Sequence, residues 1–205
     1  MRAHFDNQIK VVDKKKIKEI RMADVNVIDG SEYPLQLEVG GNEFVIRRIE
    51  NSDSAAMLHY AQSLPRHDLV YMRRNLSTQV GIDKWFRALA EGQTCAFAAI
   101  QGDKIAGYSS INLTGLDWSS HIADIRISVS PDFRKSGLGR ILVREAFKLA
   151  VTLGIEVVRA SMTPDQKGAR ALFEELGFKN EAILKDNVKD MDGGYHDLLI
   201  MAVNV

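Results

Sequence analysis

Cysteine, proline and long apolar stretches are scarce in this chain. The single cysteine, Cys95, excludes an intrachain disulfide and any cysteine-rich zinc site. No apolar run approaches the roughly 18 residues of a membrane-spanning helix, and residues 1–16 lack the apolar stretch of a signal peptide. A cytoplasmic protein with no membrane partner is expected, which makes Asn75-Leu-Ser77 and Asn112-Leu-Thr114 chance matches to a glycosylation signal. Net charge is missing as well, since 27 Lys+Arg face 27 Asp+Glu. That balance speaks against a nucleic-acid partner, although it is compatible with a local basic patch. Neither an internal repeat nor a low-complexity tract occurs. The remainder is ordinary: 205 residues, 45% hydrophobic and 26% charged, enough for one domain with a sizeable core.

Residues 1–42 read as an N-terminal extension of strands or loops, and residues 43–205 as the main domain. The extension holds a lysine-rich stretch at 13–19, read as a solvated face, and alternating pieces at Val25–Ile28 and Leu35–Val39. Gly30-Ser31 and Gly40-Gly41 punctuate these pieces as turns. Further on, Phe44–Ile49 reads as a strand. A helix follows from about Asp53 to Leu64, capped by Asn51 or Ser52 and stopped by Pro65. Ile82–Ala90 reads as a second helix, and Thr94–Ile100 and Ile105–Leu113 as a hairpin turning at 101–104. Cys95 falls within that hairpin and reads as a structural thiol.

Ala123, Ile125, Ile127 and Val129 alternate with Asp124, Arg126 and Ser128, the period of a half-buried strand. Leu138, Leu142, Ala146, Leu149 and Leu153 then recur at helical spacing before Gly154. Ile155–Met162 is the next strand. Thr163-Pro-Asp-Gln166 has the form of a capping box opening a helix that carries Ala169, Leu172, Phe173 and Leu176. Two strands, Glu181–Val188 and His196–Val203, flank an acidic turn at 190–194. Asp190-x-Asp-Gly193 is similar to a fragment of a calcium loop, but the remaining ligands are missing, so a hairpin turn is expected and no metal. The pattern is that of an α/β domain.

The stretch from Val129 to Leu142 carries the most chemistry. A strand enters a loop rich in glycine and basic residues, and the loop opens directly into an amphipathic helix. Free N–H groups and the positive dipole end of a helix N-terminus hold phosphate well. Gly137 and Gly139 let the backbone approach an anion, while Arg134, Lys135 and Arg140 add charge. A Walker loop is excluded because G-x-x-x-x-G-K-[ST] is absent, and a dinucleotide fingerprint lacks its third glycine.

Arg134-x-x-Gly137-x-Gly139 resembles the acyl-CoA-binding signature (Q/R)-x-x-G-x-(G/A) of the GNAT family of N-acetyltransferases. Ala169-Arg-Ala-Leu-Phe-Glu-Glu-Leu-Gly-Phe178 resembles that family's A-x-x-L-Y-x-x-x-G-F at the expected distance downstream. The resemblance runs from about Glu43 to Val205. It implies the acyl-CoA N-acyltransferase fold: a mixed, mostly antiparallel central sheet with a splayed strand pair and flanking helices. It also implies acetyl-CoA as acyl donor and a primary amine as acceptor. The main chain of Ile127, Ser128 and Val129 is then expected to hold the acyl-pantetheine arm, with the Val129 N–H as oxyanion donor. Arg134, Lys135, Ser136, Gly137, Leu138, Gly139 and Arg140 are expected around the pyrophosphate. Gln166 stands where many relatives have Asn near the pantetheine.

The amine must lose a proton before attack. Asp124 is the leading candidate base, against an alternative as an ion-paired strand carboxylate; His121 and the more distant Glu156 follow. Phe173 occupies a position where relatives carry a Tyr that protonates the departing thiolate, so Tyr195 or solvent is left for that role. The acceptor site in such enzymes is formed by the first helices and the last hairpin. Candidates there are His59, Tyr60, His67, Tyr71, Arg73 and Arg74, together with Trp85, Tyr195 and His196. Aromatic and basic groups suit an amino-acid carboxylate or a peptide, whereas Asp186, Asp190, Asp192 and Asp197 suit a polyamine or aminoglycoside. The rival to an enzyme is a non-catalytic CoA-binding or regulatory module, and a homodimer is left open.

Overall fold

The computed structural model describes residues 33–69, 72, 74–190 and 192–205. The lysine-rich segment, Val25–Ile28, Tyr71 and Arg73 lie outside the described residues. An eight-stranded sheet organises the chain in the order β1-β2-β3-β4-β5-β6-β8-β7. Its strands are β1 Leu35–Val39, β2 Asn42–Arg48, β3 Thr94–Gln101, β4 Lys104–Leu113, β5 Ile122–Val129, β6 Val157–Met162, β7 Lys179–Lys189 and β8 Tyr195–Asn204. All neighbours are antiparallel except β5 and β6. The helices are α1 Ser54–Ser63, α2 Arg66–Leu69, α3 Gln79–Ala90, α4 Leu138–Thr152 and α5 Lys167–Glu175. The mixed sheet with a parallel pair is the architecture expected from the sequence. Leu35–Val39 pairs along its whole length with β2. None of the described helices is long and apolar enough to cross a membrane.

The alternation in β5 sends its residues to two faces. Ala123 and Ile125 are buried with Val143 and Ala146 of α4 and with Phe173 of α5. On the other face, Ser128 meets the hydroxyl of Tyr60 from α1 at 2.8 Å. Met57 and Tyr60 of α1 pack there with Trp85 and Phe86 of α3 against Ala96 and Tyr108. Helices therefore cover both faces.

Two helix starts differ from expectation. The first helical segment begins as a 3-10 turn at Asn51–Asp53, and Glu50 rather than Asn51 or Ser52 is its cap, with the Glu50 N–H donating to Asp53 Oδ2 at 2.8 Å. The expected capping box at Thr163–Gln166 does not form. The Thr163 hydroxyl donates to Asp165, and α5 starts at Lys167 with no side-chain cap. In both places a neighbouring side chain takes up the bond, Asp53 that of the Glu50 N–H and Asp165 that of the Thr163 hydroxyl. One buried charge was also hidden by helical periodicity. Glu145 on α4 is 1% exposed and accepts from Tyr33 Oη at 2.7 Å, Arg144 Nε at 3.0 Å and Lys148 Nζ at 3.2 Å.

Candidate functional site: a splayed strand facing a helix N-terminus

Parallel strands stay paired only while their backbones remain in register. β5 and β6 pair from Ile122↔Val157 to Ile125↔Ala160 and then part. Arg126 crosses the opening, its Nη1 donating to Ser161 O at 3.2 Å. The Ser130 N–H donates to Ala106 O at 2.8 Å on the β4 side. Successive backbone groups point to opposite edges of a strand, so the N–H groups of Ile127 and Val129 project from the edge that β6 has left. Across β4, Gly107 sits opposite Val129. A Cβ there falls 2.8 Å from Ser128 O and 3.3 Å from Val129 Cα, so only glycine allows this approach.

Beyond β5 the chain makes a 3-10 turn at Pro131–Phe133 and enters α4 through Gly137, whose φ is 101°. Such a left-handed residue suits glycine. Ser136 Oγ donates to Phe133 O at 2.7 Å and accepts from the Leu138 N–H at 3.2 Å, which fixes the turn. Arg134 folds back, its Nε donating to Val129 O at 3.1 Å and its Nη2 pairing with Asp68 of α2. Arg140 turns to Glu175 at 2.6 Å, with both groups exposed.

A cavity of about 620 Å³ lies against this edge. Ile127, Ser128, Val129, Arg134, Lys135, Gly139 and Gln166 line it, so one wall brings together seven of the residues expected to bind the donor. Ser136, Gly137 and Leu138 belong to the same turn, with Leu138 buried beneath it. Phe173 is in the core, ring to ring with Phe178 at 4.9 Å. The three expected catalytic residues are elsewhere. Asp124 Oδ1 accepts from Arg159 Nε at 3.0 Å, directly across the β5–β6 register. His121 lies at the opposite end of β5, its carbonyl accepting from the N–H groups of Glu156 and Val157. Tyr195 is 62% exposed, with Lys189 Nζ 5.1 Å from its ring centre.

The rest of the lining includes residues from distant segments: His67, Asp68, Arg74, Leu76, Trp85 and Tyr108, with Arg126 at the notch. His67, Arg74 and Trp85 were anticipated; Asp68, Tyr108 and Arg126 were not. The face alternation of β5 already placed Arg126 beside Ser128, so that one was findable. Burial pushes the Tyr108 hydroxyl up to about 12 and that of Tyr60 higher still, so both stay protonated and available for hydrogen bonds at working pH. Burial likewise raises the Cys95 thiol to about 11, in keeping with a structural role. Among the described residues no group of three or more His, Cys, Asp or Glu is placed to hold a metal ion.

The sequence pattern of the acetyltransferase (GNAT) family matches residues 58–178. The chain belongs to the GNAT family. A ribosomal protein bS18-alanine N-acetyltransferase of Salmonella typhimurium is 35% identical over 79 residues, which are 38% of this chain and 53% of that enzyme. This GNAT chain thus spans about half the length of the curated relatives it matches. A GNAT acetyltransferase from Streptococcus pneumoniae superposes with a TM-score of 0.68 at 20% identity, covering 79% of this chain and 99% of that one. A Salmonella typhimurium protein solved with its cofactor acetyl-CoA gives a TM-score of 0.66 at 20% identity, covering 78% and 93%. At these identities the likeness of structure establishes the GNAT fold.

Proposed function

We propose that the protein is an acetyl-CoA-dependent N-acetyltransferase that transfers the acetyl group directly to a primary amine. The observation that carries this reading is the continuity of the vacated β5 edge with the N-terminus of α4. It offers main-chain donors for an extended amide-bearing arm and, at its end, a site for phosphate. Acetyl-CoA supplies an activated acyl group as a thioester. The Val129 N–H donates to the carbonyl oxygen as negative charge builds on it, a contribution of a few kcal/mol for a preorganised donor. Arg134, Lys135 and the first N–H groups of α4 take the pyrophosphate.

The amine approaches from the α1–α3 side, where Trp85 and Tyr108 wall the cavity. Its ammonium proton passes to water, the neutral nitrogen bonds the acyl carbon, and the carbon–sulfur bond breaks with its electron pair on sulfur. The second nitrogen proton is lost to solvent, and the thiolate takes one up there. A thiol with an ordinary pKa near 8.5 leaves without a dedicated acid, consistent with Phe173 having no proton to give. Asp124 contributes by holding β5 to β6 through Arg159 at the root of the splay. The test measures melting temperature with acetyl-CoA and then thiol release over a panel of amines. A rise in melting temperature with turnover of at least one amine is expected; absence of donor binding rejects the reading.

A further inference from the structure

The hairpin of β1 and β2 precedes the segment that matches the GNAT pattern, residues 58–178. It nevertheless reaches the loop between β5 and α4 and meets it at successive points. Phe44 of β2 packs edge to face on Phe133, with 5.4 Å between ring centres. Gly40 lies so close to Ser136 that a Cβ there falls 3.0 Å from Ser136 Cβ and 3.4 Å from Ser136 Cα and O. Val39 Cγ1 stands 3.5 Å from the place of a Cβ on Gly137. Phe133, Arg134, Lys135 and Gly139 line the cavity, whereas Val39 and Gly40 do not. The hairpin turn can therefore act on a bound donor only through the loop.

The loop has a conformation that calls for support. Lys135 at φ 62° and Gly137 at φ 101° are both left-handed. For a residue with a side chain, such as Lys135, that state is costly and persists where the surroundings over-determine it. Ser136 Oγ, bonded to Phe133 O and to the Leu138 N–H, ties the loop internally, and the hairpin holds it from outside. The hairpin is itself anchored at both ends. Tyr33 Oη, just before β1, donates to Glu145 of α4 at 2.7 Å. At the turn, Asn42 Nδ2 donates to Gly40 O at 3.2 Å, and Gln101 Nε2 of β3 donates to Asn42 Oδ1 at 3.0 Å. Gly40 and Gly41, at φ 58° and 75°, give the two-residue turn whose twist suits a hairpin.

We infer that the turn from Val39 to Asn42 sets the position of the pyrophosphate-binding loop, with Gly40 as a positioning residue for acetyl-CoA. A diphosphate is held by several N–H groups at once, so its affinity depends on their mutual placement. A side chain at Gly40 pushes Ser136 by a few tenths of an ångström, and Lys135 and the first N–H groups of α4 move with it. The neighbour, not the turn, demands glycine at this position, because Asn-Gly suits the same turn type equally well. This inference rests on the transferase reading above for the identity of the ligand. It gives a segment ahead of the matched pattern a part in donor binding.

The test measures acetyl-CoA affinity by titration calorimetry, together with the melting temperature of the ligand-free protein. Gly40→Asn keeps a favoured turn but drives a side chain against Ser136. Acetyl-CoA should bind it about tenfold more weakly, the scale of one charge-assisted hydrogen bond, with the ligand-free melting temperature near that of the unaltered protein. Gly41→Asn, where a Cβ meets nothing within 4 Å, should stay within about twofold of the unaltered affinity. A second pair decides the matter if Gly40→Asn does not fold. Val39→Ala withdraws the support from Gly137 and should weaken binding about threefold. Leu35→Ala truncates a larger side chain on the same face of β1, away from the loop, and should stay within about twofold. Equal affinities in the two asparagine variants, or a loss in Leu35→Ala matching that in Val39→Ala, overturn the inference and leave the transferase reading standing. Failure of the unaltered protein to bind acetyl-CoA overturns both.

Discussion

The two walls of the cavity are built from different materials. The proposed donor wall is mostly one run, from Ile127 to Gly139, joined by Gln166 from farther along the chain, and most of what it would offer a donor are backbone groups held by turn geometry. The acceptor wall is assembled from side chains on α2, α3, β4 and β5 and the segment between α2 and α3. Backbone donors can be re-aimed only by moving the strand, whereas a side chain is altered by one substitution. A GNAT chain can thus keep its donor while exchanging its acceptor. The Asp68–Arg134 ion pair and the Tyr60–Ser128 hydrogen bond tie the two sides together.

Substituting the glycine that admits β5 attacks the donor wall most severely. Gly107→Ala places a methyl against Ser128 O and Val129 Cα. Overpacking of this kind costs about 1–3 kcal/mol. Because it displaces the Val129 N–H, the proposed oxyanion donor, kcat should fall about 100-fold in steady-state thiol release, far more than the stability loss alone implies. A variant of near-normal activity would show that the Val129 N–H is not placed as described.

Phe173→Tyr sharpens the contrast from the other side. The ring lies in the core against Phe178, so an added hydroxyl is buried rather than presented to the donor sulfur. A loss of about 1–2 kcal/mol in chemical denaturation is expected, with no gain in kcat. Asp68→Asn probes the junction between the walls. Releasing Arg134 from its carboxylate should lower the KM for acetyl-CoA a few-fold, the scale of a partly exposed ion pair. A higher KM would mean that Asp68 orients Arg134 rather than competing for it.

Asp124→Asn is expected to change kcat/KM less than about threefold and to leave the shape of the pH–rate profile unaltered. Its carboxylate holds Arg159 across the strand pair, and such pairs contribute roughly 0.2–1 kcal/mol. Loss of the low-pH limb would instead identify it as the base. The smallest effect concerns the helix that carries the donor loop. Burial pushes the Glu145 carboxyl up, but hydrogen bonds from Tyr33, Arg144 and Lys148 outweigh it and hold its pKa below the ordinary value. Its contribution to stability is therefore complete above about pH 4.3, the unfolded value, and fades as pH falls through the lower folded value. Glu145→Gln should flatten the acid limb of a melting-temperature profile.

The same contrast explains what could be read from the chain alone. The strand–loop–helix from Ala123 to Leu153 is local, and periodicity, Gly137 and Gly139 disclose it residue by residue. Strand pairing was legible for the hairpins, because their turns sit between alternating segments. Alternation put Arg126 on the same face of β5 as Ser128, but Tyr108 read as one more strand aromatic. Asp68, in a four-residue helix, carried no signal of Arg134 sixty-six residues on. In the sequence Asp124 reads both as base and as ion-pair partner, and only the parallel register brings Arg159 opposite it. Side chains that meet across long separations obey no sequence period, so the acceptor wall stays hidden until the sheet is in place.

A structure of the protein with a non-transferable thioether analogue of acetyl-CoA decides whether the vacated β5 edge and the α4 N-terminus hold the donor. The acyl carbonyl oxygen is expected within about 3.2 Å of the Val129 N atom, a hydrogen-bond distance, and the pyrophosphate on the first N–H groups of α4. An analogue bound with its acyl group away from the β5 edge, or with its phosphates off the α4 N-terminus, would contradict that expectation.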